Sequence, residues 1–278
     1  VVGLGVSHFA LIRLMLKKGI GVTVLDKREM EALGEDGRTL EKEGARFILG
    51  DGYLDALTSF DVLFRTPGMY FLSDALNKAR AAGVSVVSEM EVFFDLCPCR
   101  VFAVTGSDGK TTTSTLISEF FKAEGKTVHL GGNIGRALLP QIEEIKPEDI
   151  CVVELSSFQL ISMRQSPDVA VVTNVAPNHL DVHRDMQEYI DAKKNILLHQ
   201  NGFSRTVLNF ENTVTREEMA PLVRGELCWF SKERPVENGS FLRGDGMLCR
   251  VRHGEAAPVV HRDEIRIPGM HNVDNFLT

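Results

Sequence analysis

The sequence predicts an α/β fold with two successive domains, each built around a largely parallel sheet. Three observations lead to this prediction. Short apolar strands alternate with helix-like segments through about the first ninety residues, a pattern typical of a parallel sheet with helices on both faces. A second alternation begins after residue 97. A glycine-rich loop, Thr105 to Thr113, stands between the first strand and the first helix of that second alternation.

The first domain opens with a strand-helix-strand unit. The stretch from Val1 to His8 is predicted as a strand that runs into a glycine turn, and a second strand, Val22 to Leu25, ends at Asp26. An acidic residue about twenty positions after Gly5 is the arrangement of a dinucleotide or nucleotide-sugar site. The third glycine of the dinucleotide fingerprint would fall at His8, where a side chain crowds the helix–strand contact, so the pattern disfavours NAD.

The remaining elements of the first domain continue the alternation to residue 96, where we place the domain's end. Thr66-Pro67-Gly68 follows one of its strands. The predicted helices are Phe9 to Lys18, Ser73 to Ala82 and Glu89 to Leu96, and the further strands are Phe47 to Leu49, Val62 to Phe64 and Val84 to Val87.

The second predicted domain covers residues 97–278 and begins where Pro98 breaks the preceding helix. It also alternates strands and helices, and a hairpin is predicted over Ser240 to Arg252. After the glycine-rich loop the predicted strands are Val128 to Leu130, Cys151 to Val153, Val169 to Thr173, Val207 to Leu208 and Leu227 to Phe230, and the helices are Arg136 to Ile145, Met186 to Leu198 and Glu211 to Val223.

The glycine-rich loop has the setting of a phosphate-binding loop. Its glycines let backbone N–H groups converge on phosphate oxygens, Lys110 supplies a positive charge, and the Thr111 hydroxyl is placed to bind Mg²⁺ at a helix N-terminus. The strict pattern has a glycine where Val104 stands, so this is a shorter variant whose first glycine is Gly106. The alternative is a solvated turn rich in glycine and threonine. The expected fold class is therefore an N-terminal Rossmann-like domain followed by a P-loop α/β domain.

Composition excludes several classes of protein. A net charge of −7 and a pI near 5.7 argue against a nucleic-acid partner that needs a basic surface. No apolar run is long enough for a membrane span, and no charged and apolar leader precedes the first strand. Five cysteines, with Cys97 and Cys99 as the close pair, indicate reduced thiols in a cytoplasmic protein. A lone Cys-x-Cys is weak evidence for a metal site.

Four further residues could carry chemistry. Glu154 follows a buried strand and so lies at the sheet edge where α/β proteins bind ligands, although it could be a surface carboxylate. His179 and His183 follow another strand and reach the same edge; by residue type alone they are a zinc pair or solvated loop histidines. Lys193 lies on a predicted helix, where two adjacent lysines usually form a solvated face.

These segments together resemble the Mur ligase family. The loop Thr105 to Thr112 is similar to the family's Thr-Gly-x-x-Gly-Lys-Thr/Ser-Thr loop, and further blocks follow in the family's order. Within the family, Glu154 to Leu160 (ELSSFQL) looks most like the branch that adds D-glutamate. The other matching blocks are Gly132 to Gly135, Asn178 to Asp181, Ala192-Lys193 and His271 to Asn275.

The resemblance implies a role for each matching residue. Lys110, Glu154, His179 and Lys193 would be catalytic. Thr111 and Glu154 would bind one Mg²⁺, and His179 a second, together with a Lys193 carboxylated on its amine, since the carbamate is the oxygen ligand that Mg²⁺ prefers. ATP would contact Gly106, Ser107, Asp108, Gly109, Lys110, Thr111, Thr112, Asn272 and Asn275, and the UDP substrate would contact Ser7, Asp26, Thr66, Pro67, Gly68, Asn133 and Gln159.

The implied activity is ATP-dependent amide ligation in peptidoglycan synthesis, and so in cell wall biogenesis, cell shape and cell division. D-Glutamate would be added to UDP-N-acetylmuramoyl-L-alanine through an acyl phosphate, in a cytoplasmic, monomeric protein. The resemblance also implies a missing C-terminal domain, so we expect a fragment that is inactive alone. Two positions depart from the family pattern: His8 replaces a glycine, and Met69 follows Thr66-Pro67-Gly68 where isoleucine or valine is usual.

Rival interpretations remain open. A sister ligase that adds another amino acid, or a folate-polyglutamate ligase, would share the loop. A dinucleotide-dependent oxidoreductase would explain Gly3 to Asp26 but would leave Gly109-Lys110-Thr111 without a role. The third rival is a nucleotide-binding module without ligase activity.

Overall fold

The computed structural model describes residues 1–178, 182–267 and 269–278, without the side chains of Val6 and Ser7. The chain forms two compact units. Unit 1 is Val1–Leu96 with Arg136–Glu144, and unit 2 is Cys97–Gly135 with Ile145–Thr278. The short segment 136–144 groups with unit 1, although it follows the start of unit 2 in the sequence.

Unit 1 contains two pairs of parallel strands flanked by helices. Val2 forms parallel bridges to both Leu25 and Arg65, so it joins the two pairs into one sheet. The predicted strand from Val1 to His8 is wrong in its extent, because α1 already begins at Val6. The strands are β1 (Thr23–Asp26), β2 (Arg46–Leu49), β3 (Val62–Phe64) and β4 (Ser85–Val87); the helices are α1 (Val6–Lys17), α2 (Met30–Lys42), α3 (Asp74–Ala81) and α4 (Glu89–Leu96).

Consecutive strand residues of unit 1 pack on opposite faces of its sheet, as the pleat requires. Val24 packs with Ile12 of α1 and Leu40 of α2, whereas Leu25 packs with Leu76 of α3 in a second cluster. Both faces are therefore covered by helices, which is the doubly wound arrangement predicted from the alternation.

Unit 2 is built on a nine-stranded sheet of order β13-β12-β11-β10-β9-β8-β5-β7-β6. All pairs from β6 to β11 are parallel, and the two last strands are antiparallel. The strands are β5 (Arg100–Thr105), β6 (Val128–Gly132), β7 (Ile150–Glu154), β8 (Val169–Val172), β9 (Arg205–Asn209), β10 (Glu226–Ser231), β11 (Gly239–Leu242), β12 (Met247–Arg252) and β13 (Glu255–His261). The helices are α5 (Lys110–Ala123), α6 (Ser157–Leu160), α7 (Met186–Leu198) and α8 (Met270–Leu277).

Two predicted helices are shorter than expected. The segment 136–145 forms only a 3₁₀ helix, Leu139–Glu144, and the segment 211–223 forms a π-helical turn, Thr215–Met219, followed by a 3₁₀ helix, Ala220–Leu222. The ring of Pro140 would clash with the carbonyl of Arg136 in an α-helix that started there, and Pro221 lacks the N–H that an α-helix would bond to the Glu217 carbonyl. The hairpin of β11 and β12 is confirmed, and β13, which the sequence analysis does not predict, extends it.

The strand order positions the site. After β5 the chain crosses to β6 and β7 on one side, and then to β8 on the other side, so β5 lies where the order reverses. The carboxyl end of β5 therefore opens into the crevice where α/β sheets bind ligands. The predicted α/β class is confirmed. In the described part of the chain, no helix combines the length and the apolar character needed to cross a bilayer.

Candidate active site

The glycine-rich loop links the end of β5 to the start of α5. Gly109 precedes the helix at φ 79°, a left-handed conformation that glycine adopts without strain. The Lys110 ammonium folds back over the loop and donates hydrogen bonds to the carbonyls of Gly106 (3.0 Å) and Ser107 (2.9 Å). Its charge therefore lies where the phosphates of a nucleotide would enter, at the N-terminus of a helix of fourteen residues.

The segment after β8 holds the loop from the other side. Thr173 Oγ1 donates to the Asp108 carbonyl (2.6 Å), Asn174 Oδ1 accepts from the Asp108 N–H (3.1 Å), and the Asn174 carbonyl accepts from the Ser107 N–H (2.9 Å). The Ser107 hydroxyl also lies 2.9 Å from the Tyr189 hydroxyl. Sequence reasoning missed Thr173, Asn174 and Tyr189, because nothing in their spacing marks them as neighbours of a loop some 70 residues earlier.

Glu154 lies at the carboxyl end of β7 and is buried. Its two carboxylate oxygens have different partners: Oε2 accepts from the Thr111 hydroxyl (2.7 Å) and Oε1 from the Asn133 side-chain amide (2.9 Å). The Asn133 N–H also donates to the Glu154 carbonyl (2.8 Å). Strand pairing thus brings a carboxylate and a hydroxyl together beside Lys110, and it excludes the surface-carboxylate interpretation of Glu154.

Lys193 points from α7 into the interior and is 1% exposed. Its ammonium donates to the Gly106 carbonyl (2.8 Å) and the Thr105 hydroxyl (3.3 Å), and it lies over the Tyr189 ring. Burial, with a further contribution from the positive charge of Lys110, lowers the pKa of Lys193 to about 7. The adjacent Lys194 does not lie on a solvated face either: its side chain is 16% exposed and pairs with Asp191 and Glu218.

The asparagines of α8 reach the phosphate loop. Asn275 Oδ1 accepts from the Thr113 hydroxyl (3.3 Å), and its amide donates to Asn272 Oδ1 (3.0 Å). A Cβ at Gly109 would collide with the Asn275 side chain, so the loop and α8 are in direct contact. Thr112 is half-buried in the first turn of α5.

Three candidate residues follow β7 in the sequence: His179, His183 and Gln159. His179 lies outside the described residues. His183 is buried, stacks on Phe158 at 5.1 Å and lies 2.9 Å from the Ser157 hydroxyl. Gln159 closes a capping box at the start of α6, where its side-chain oxygen accepts from the Ser156 N–H at 2.9 Å. That oxygen is therefore engaged within its own helix turn.

Unit 1 has a separate cavity of about 690 Å³ at the carboxyl ends of its strands. Asp26, Thr66 and Gly68 all line it, Pro67 lies in the same turn, and Met69 also faces it. Ser7 lies in the first turn of α1, and its side chain is outside the described part. The sequence thus predicts three lining residues of one cavity from two distant segments.

Asp26 is held by a group that sequence reasoning missed. Its carboxylate accepts from the Arg28 guanidinium (2.7 and 2.9 Å) and from the Leu4 N–H (2.8 Å). Burial opposes the charge on Asp26, but the hydrogen bonds from Arg28 and Leu4 outweigh it and lower the pKa of Asp26 to about 2. Arg28, half exposed at the cavity wall, is thereby a fixed cation available to an anionic ligand. The buried His8 contacts the Gly3 carbonyl at 2.8 Å, in place of the tight glycine contact of dinucleotide sites.

Both units match known protein families. Residues 104–278 match the family described as Mur ligase middle domain, and residues 1–88 match the one described as Mur ligase MurD-like, N-terminal domain. The UDP-N-acetylmuramoylalanine--D-glutamate ligases of Acetivibrio thermocellus and Clostridium botulinum are each 49% identical over 277 residues; each match covers 100% of this chain and 59% of the relative. The chain thus spans 59% of the length of these curated relatives.

A solved structure has the same fold. The UDP-N-acetylmuramate:L-alanyl-gamma-D-glutamyl-meso-diaminopimelate ligase from Neisseria meningitides superposes with a TM-score of 0.62 at 18% identity, over 99% of this chain and 89% of that one.

Proposed function

The chain belongs to the Mur ligase family, and from that premise we propose that it supplies the UDP-substrate and ATP sites of an ATP-dependent ligase that adds D-glutamate to UDP-N-acetylmuramoyl-L-alanine. The names of the curated relatives that are 49% identical support this choice of amino acid and acceptor. The reaction would be a step of peptidoglycan synthesis and would take place in the cytoplasm, where ATP is available, in a monomeric protein.

One observation carries the proposal: Thr111, Glu154 and Asn133 form a hydrogen-bonded chain beside Lys110 at the carboxyl ends of β5 and β7. A carboxylate next to a phosphate-loop hydroxyl is the arrangement that holds a nucleotide-bound Mg²⁺. Adjacent ligand oxygens of Mg²⁺, with bonds of about 2.1 Å, lie about 3.0 Å apart. The hydrogen-bonded oxygens Thr111 Oγ1 and Glu154 Oε2 are 2.7 Å apart, so a shift of about 0.3 Å would let both bind the ion. When bound, Mg²⁺ would neutralise charge on the phosphates.

Lys193 fits the role of a carbamate. Among the described residues, its ammonium contacts a carbonyl, a hydroxyl and an aromatic ring, and no carboxylate. A buried cation close to Lys110 is electrostatically unfavourable, whereas the carbamate formed with CO₂ is an oxygen anion suited to Mg²⁺. We propose that carboxylated Lys193 and His179 serve a second Mg²⁺.

The cavity of unit 1 would bind the UDP part of the acceptor substrate. Arg28 offers a cation to the diphosphate, and the glycine turn from Gly3 to Gly5 lines the same cavity. The carboxylate of Asp26 suits a ribose or uracil donor group. In unit 2, Asn133 and Gln159 would face the muramoyl-alanine part; for Gln159 this role falls to its side-chain N–H₂ group, since its oxygen caps α6.

The reaction would proceed by two displacements on the substrates, without a protein nucleophile. The alanine carboxylate attacks the γ-phosphorus of ATP, and the bond from that phosphorus to the bridging oxygen breaks. The products of this step are ADP and an acyl phosphate. The amine of D-glutamate then attacks the acyl carbon, loses a proton and displaces phosphate. Lys110 lies where it can neutralise charge that develops on the transferred phosphoryl group. Asn272 and Asn275, packed against the loop, would contact the nucleotide.

The test measures ADP release by two proteins, the 278-residue chain and the protein encoded by the complete open reading frame that contains it. Each is supplied with ATP, UDP-N-acetylmuramoyl-L-alanine and a panel of amino acids. We expect ADP release that requires both the UDP substrate and D-glutamate in the longer protein, and nucleotide binding with no ligation in the 278-residue chain. A preference for another amino acid would indicate a sister ligase. Nucleotide binding without ADP release in either protein would indicate a binding module.

A further inference from the structure

Three cysteine thiols converge at the end of the unit 2 sheet opposite the phosphate loop. Cys97 and Cys99 immediately precede β5, and Cys151 is the second residue of the adjacent strand β7, where it pairs with Val101. The Sγ atoms are 3.4 Å apart for Cys99 and Cys151, and 3.7 Å apart for each of the other two pairs. Cys99 and Cys151 are buried, and Cys97 is half-buried.

The cluster stands out from the rest of the described structure. It is the one group, within the residues described, in which three His, Cys, Asp or Glu side chains bring their ligand atoms within 4.8 Å of one another. The proposed ligase chemistry does not use it, because Glu154 and the phosphate loop lie at the opposite ends of the same strands. The two other cysteines, Cys228 in β10 and Cys249 in β12, are outside the cluster.

The three distances match a face of a tetrahedral zinc site. A Zn–S bond of about 2.3 Å and a tetrahedral angle place neighbouring sulfurs about 3.8 Å apart. The observed separations of 3.4, 3.7 and 3.7 Å require shifts of only a few tenths of an ångström to reach that value. The ligands already lie together in the folded chain, so binding would cost little reorganisation.

We propose that Cys97, Cys99 and Cys151 form a Zn²⁺ site with three thiolate ligands. Thiolates are soft ligands that select Zn²⁺ over Mg²⁺, so the site does not compete with the proposed Mg²⁺ sites for the same ion. Cys97 is the ligand open to solvent, and a water molecule would complete the tetrahedron on its side. Binding converts three thiols to thiolates and releases up to three protons, so the affinity falls as the pH falls.

A bound ion would connect two parts of the sheet: the segment that precedes β5, which carries Cys97 and Cys99, and strand β7, which carries Cys151. These two strands carry the phosphate loop and Glu154 at their other ends. The ion would therefore act on stability: it stabilises the folded state by binding it in preference to the unfolded chain, and it does not touch the reacting groups.

The first test uses the unmodified chain. The reduced protein is freed of metal with a chelator and titrated with Zn²⁺ against a chromophoric competitor, and a parallel sample is titrated with Co²⁺. We expect one tightly bound Zn²⁺ per chain, thiolate-to-Co²⁺ charge-transfer absorption of a three-sulfur site, and an increase in the melting temperature on Zn²⁺ binding. Absence of that absorption, or a Co²⁺ spectrum with only nitrogen and oxygen ligands, would overturn the proposal without any variant.

Serine variants locate the site. Cys99→Ser and Cys151→Ser should each weaken Zn²⁺ binding by more than the roughly 10- to 100-fold that follows loss of a group that merely hydrogen-bonds a metal ligand. Cys228→Ser and Cys249→Ser are matched controls, the second at an equally buried position, and should keep the wild-type affinity. Equal losses in the controls would refute the assignment.

A thiol titration distinguishes a Zn²⁺ site from a disulfide between two of the three cysteines. The metal-free reduced chain should present five reactive thiols when unfolded, and bound Zn²⁺ should protect three of them in the folded protein. A Cys99–Cys151 disulfide that persists under reductant, with no Zn²⁺ uptake, would contradict the proposal. Neither result depends on ligase activity, so this inference and the proposed function fail or stand separately.

Discussion

The hydroxyl of Thr111 donates a 2.7 Å hydrogen bond to Glu154 Oε2, and this contact joins the first turn of α5 to the carboxyl end of β7. It exists because β5 and β7 are parallel neighbours, with Val104 opposite Glu154. Two residues 43 positions apart in sequence thus become adjacent oxygens at one sheet edge. The first prediction tests whether those oxygens serve Mg²⁺.

Glu154→Gln should raise the Mg²⁺ concentration needed for half-maximal ATP binding by at least about 10-fold, because the amide keeps the shape of the side chain but removes its negative charge. Calorimetric titrations of ATP at a series of Mg²⁺ concentrations would measure this. Glu148→Gln, at the exposed start of the same strand region, is the control and should behave as wild type. An unchanged Mg²⁺ requirement in Glu154→Gln would remove Glu154 from the metal site.

Lys110→Ala should reduce substrate-dependent ADP formation about 10²- to 10³-fold in the complete reading frame, since it removes a cation from the charge that develops on the phosphoryl group. Thermal unfolding should change little, because within the described residues the hydrogen bonds of the Lys110 ammonium go to carbonyls of its own loop. Lys126→Ala, an exposed lysine beyond the end of α5, serves as the control. Undiminished turnover in Lys110→Ala would exclude the proposed role.

Lys193 should form a carbamate near neutral pH. With its pKa lowered to about 7 by burial and by Lys110, the neutral amine that reacts with CO₂ is already a large fraction at pH 7 and increases as the pH rises. A ¹³C-bicarbonate NMR signal from the protein should therefore grow between about pH 6 and pH 8. The signal should vanish in Lys193→Arg.

The neighbouring Lys194→Arg is a matched control: burial lowers the pKa of Lys194, but its hydrogen bonds to Glu218 and Asp191 outweigh burial and raise the pKa above its usual value. It should retain the signal. In the complete reading frame, Lys193→Ala should lose activity and recover part of it on addition of small carboxylic acids. A signal that survives in Lys193→Arg would place the carbamate elsewhere.

Asp26→Asn should lower the free energy of unfolding at neutral pH by about 1–3 kcal/mol, because it removes a charge-assisted contact with Arg28. The pKa of Asp26 is depressed to about 2 in the folded state, against about 3.9 in an unfolded chain. The stabilisation is thus complete above about pH 4 and is lost as the pH falls towards about 2. Denaturant titrations should show the difference between wild type and Asp26→Asn shrinking across that window.

Asp36→Asn, at an exposed position on α2, should show no such pH-dependent difference and calibrates the measurement. Asp26→Asn should also weaken UDP binding. A difference that stays constant down to acid pH would mean that the Asp26 charge is not what stabilises unit 1.

Sequence patterns predicted those features of the structure that depend on residues close together in the chain. The strand, loop and helix around Gly109 and Lys110 were readable because glycine, lysine and threonine occur at a spacing that one turn of chain dictates. The structure confirms the predicted helix α7, Met186–Leu198. The predicted helix over 136–145 is too long, since Pro140 disfavours helical structure in the residues before it and the segment forms only the 3₁₀ helix Leu139–Glu144.

The sequence by itself determined the α/β class, the glycine-rich loop between a strand and a helix, and the carboxylate at the end of β7, since each follows from residue type and short-range spacing. Only the tertiary structure decided which distant residues meet. It brought Arg28 to Asp26, Thr173 and Asn174 to the loop, and Lys193 into the interior beside Gly106.

The cysteines show the difference most directly. Cys97-x-Cys99 alone is a weak signal, and Cys151 is marked by nothing but its place in an apolar strand. The three sulfurs converge because β5 and β7 pair in parallel with Val101 opposite Cys151. Strand order and register depend on the packing of the whole sheet, which no local pattern in the sequence contains.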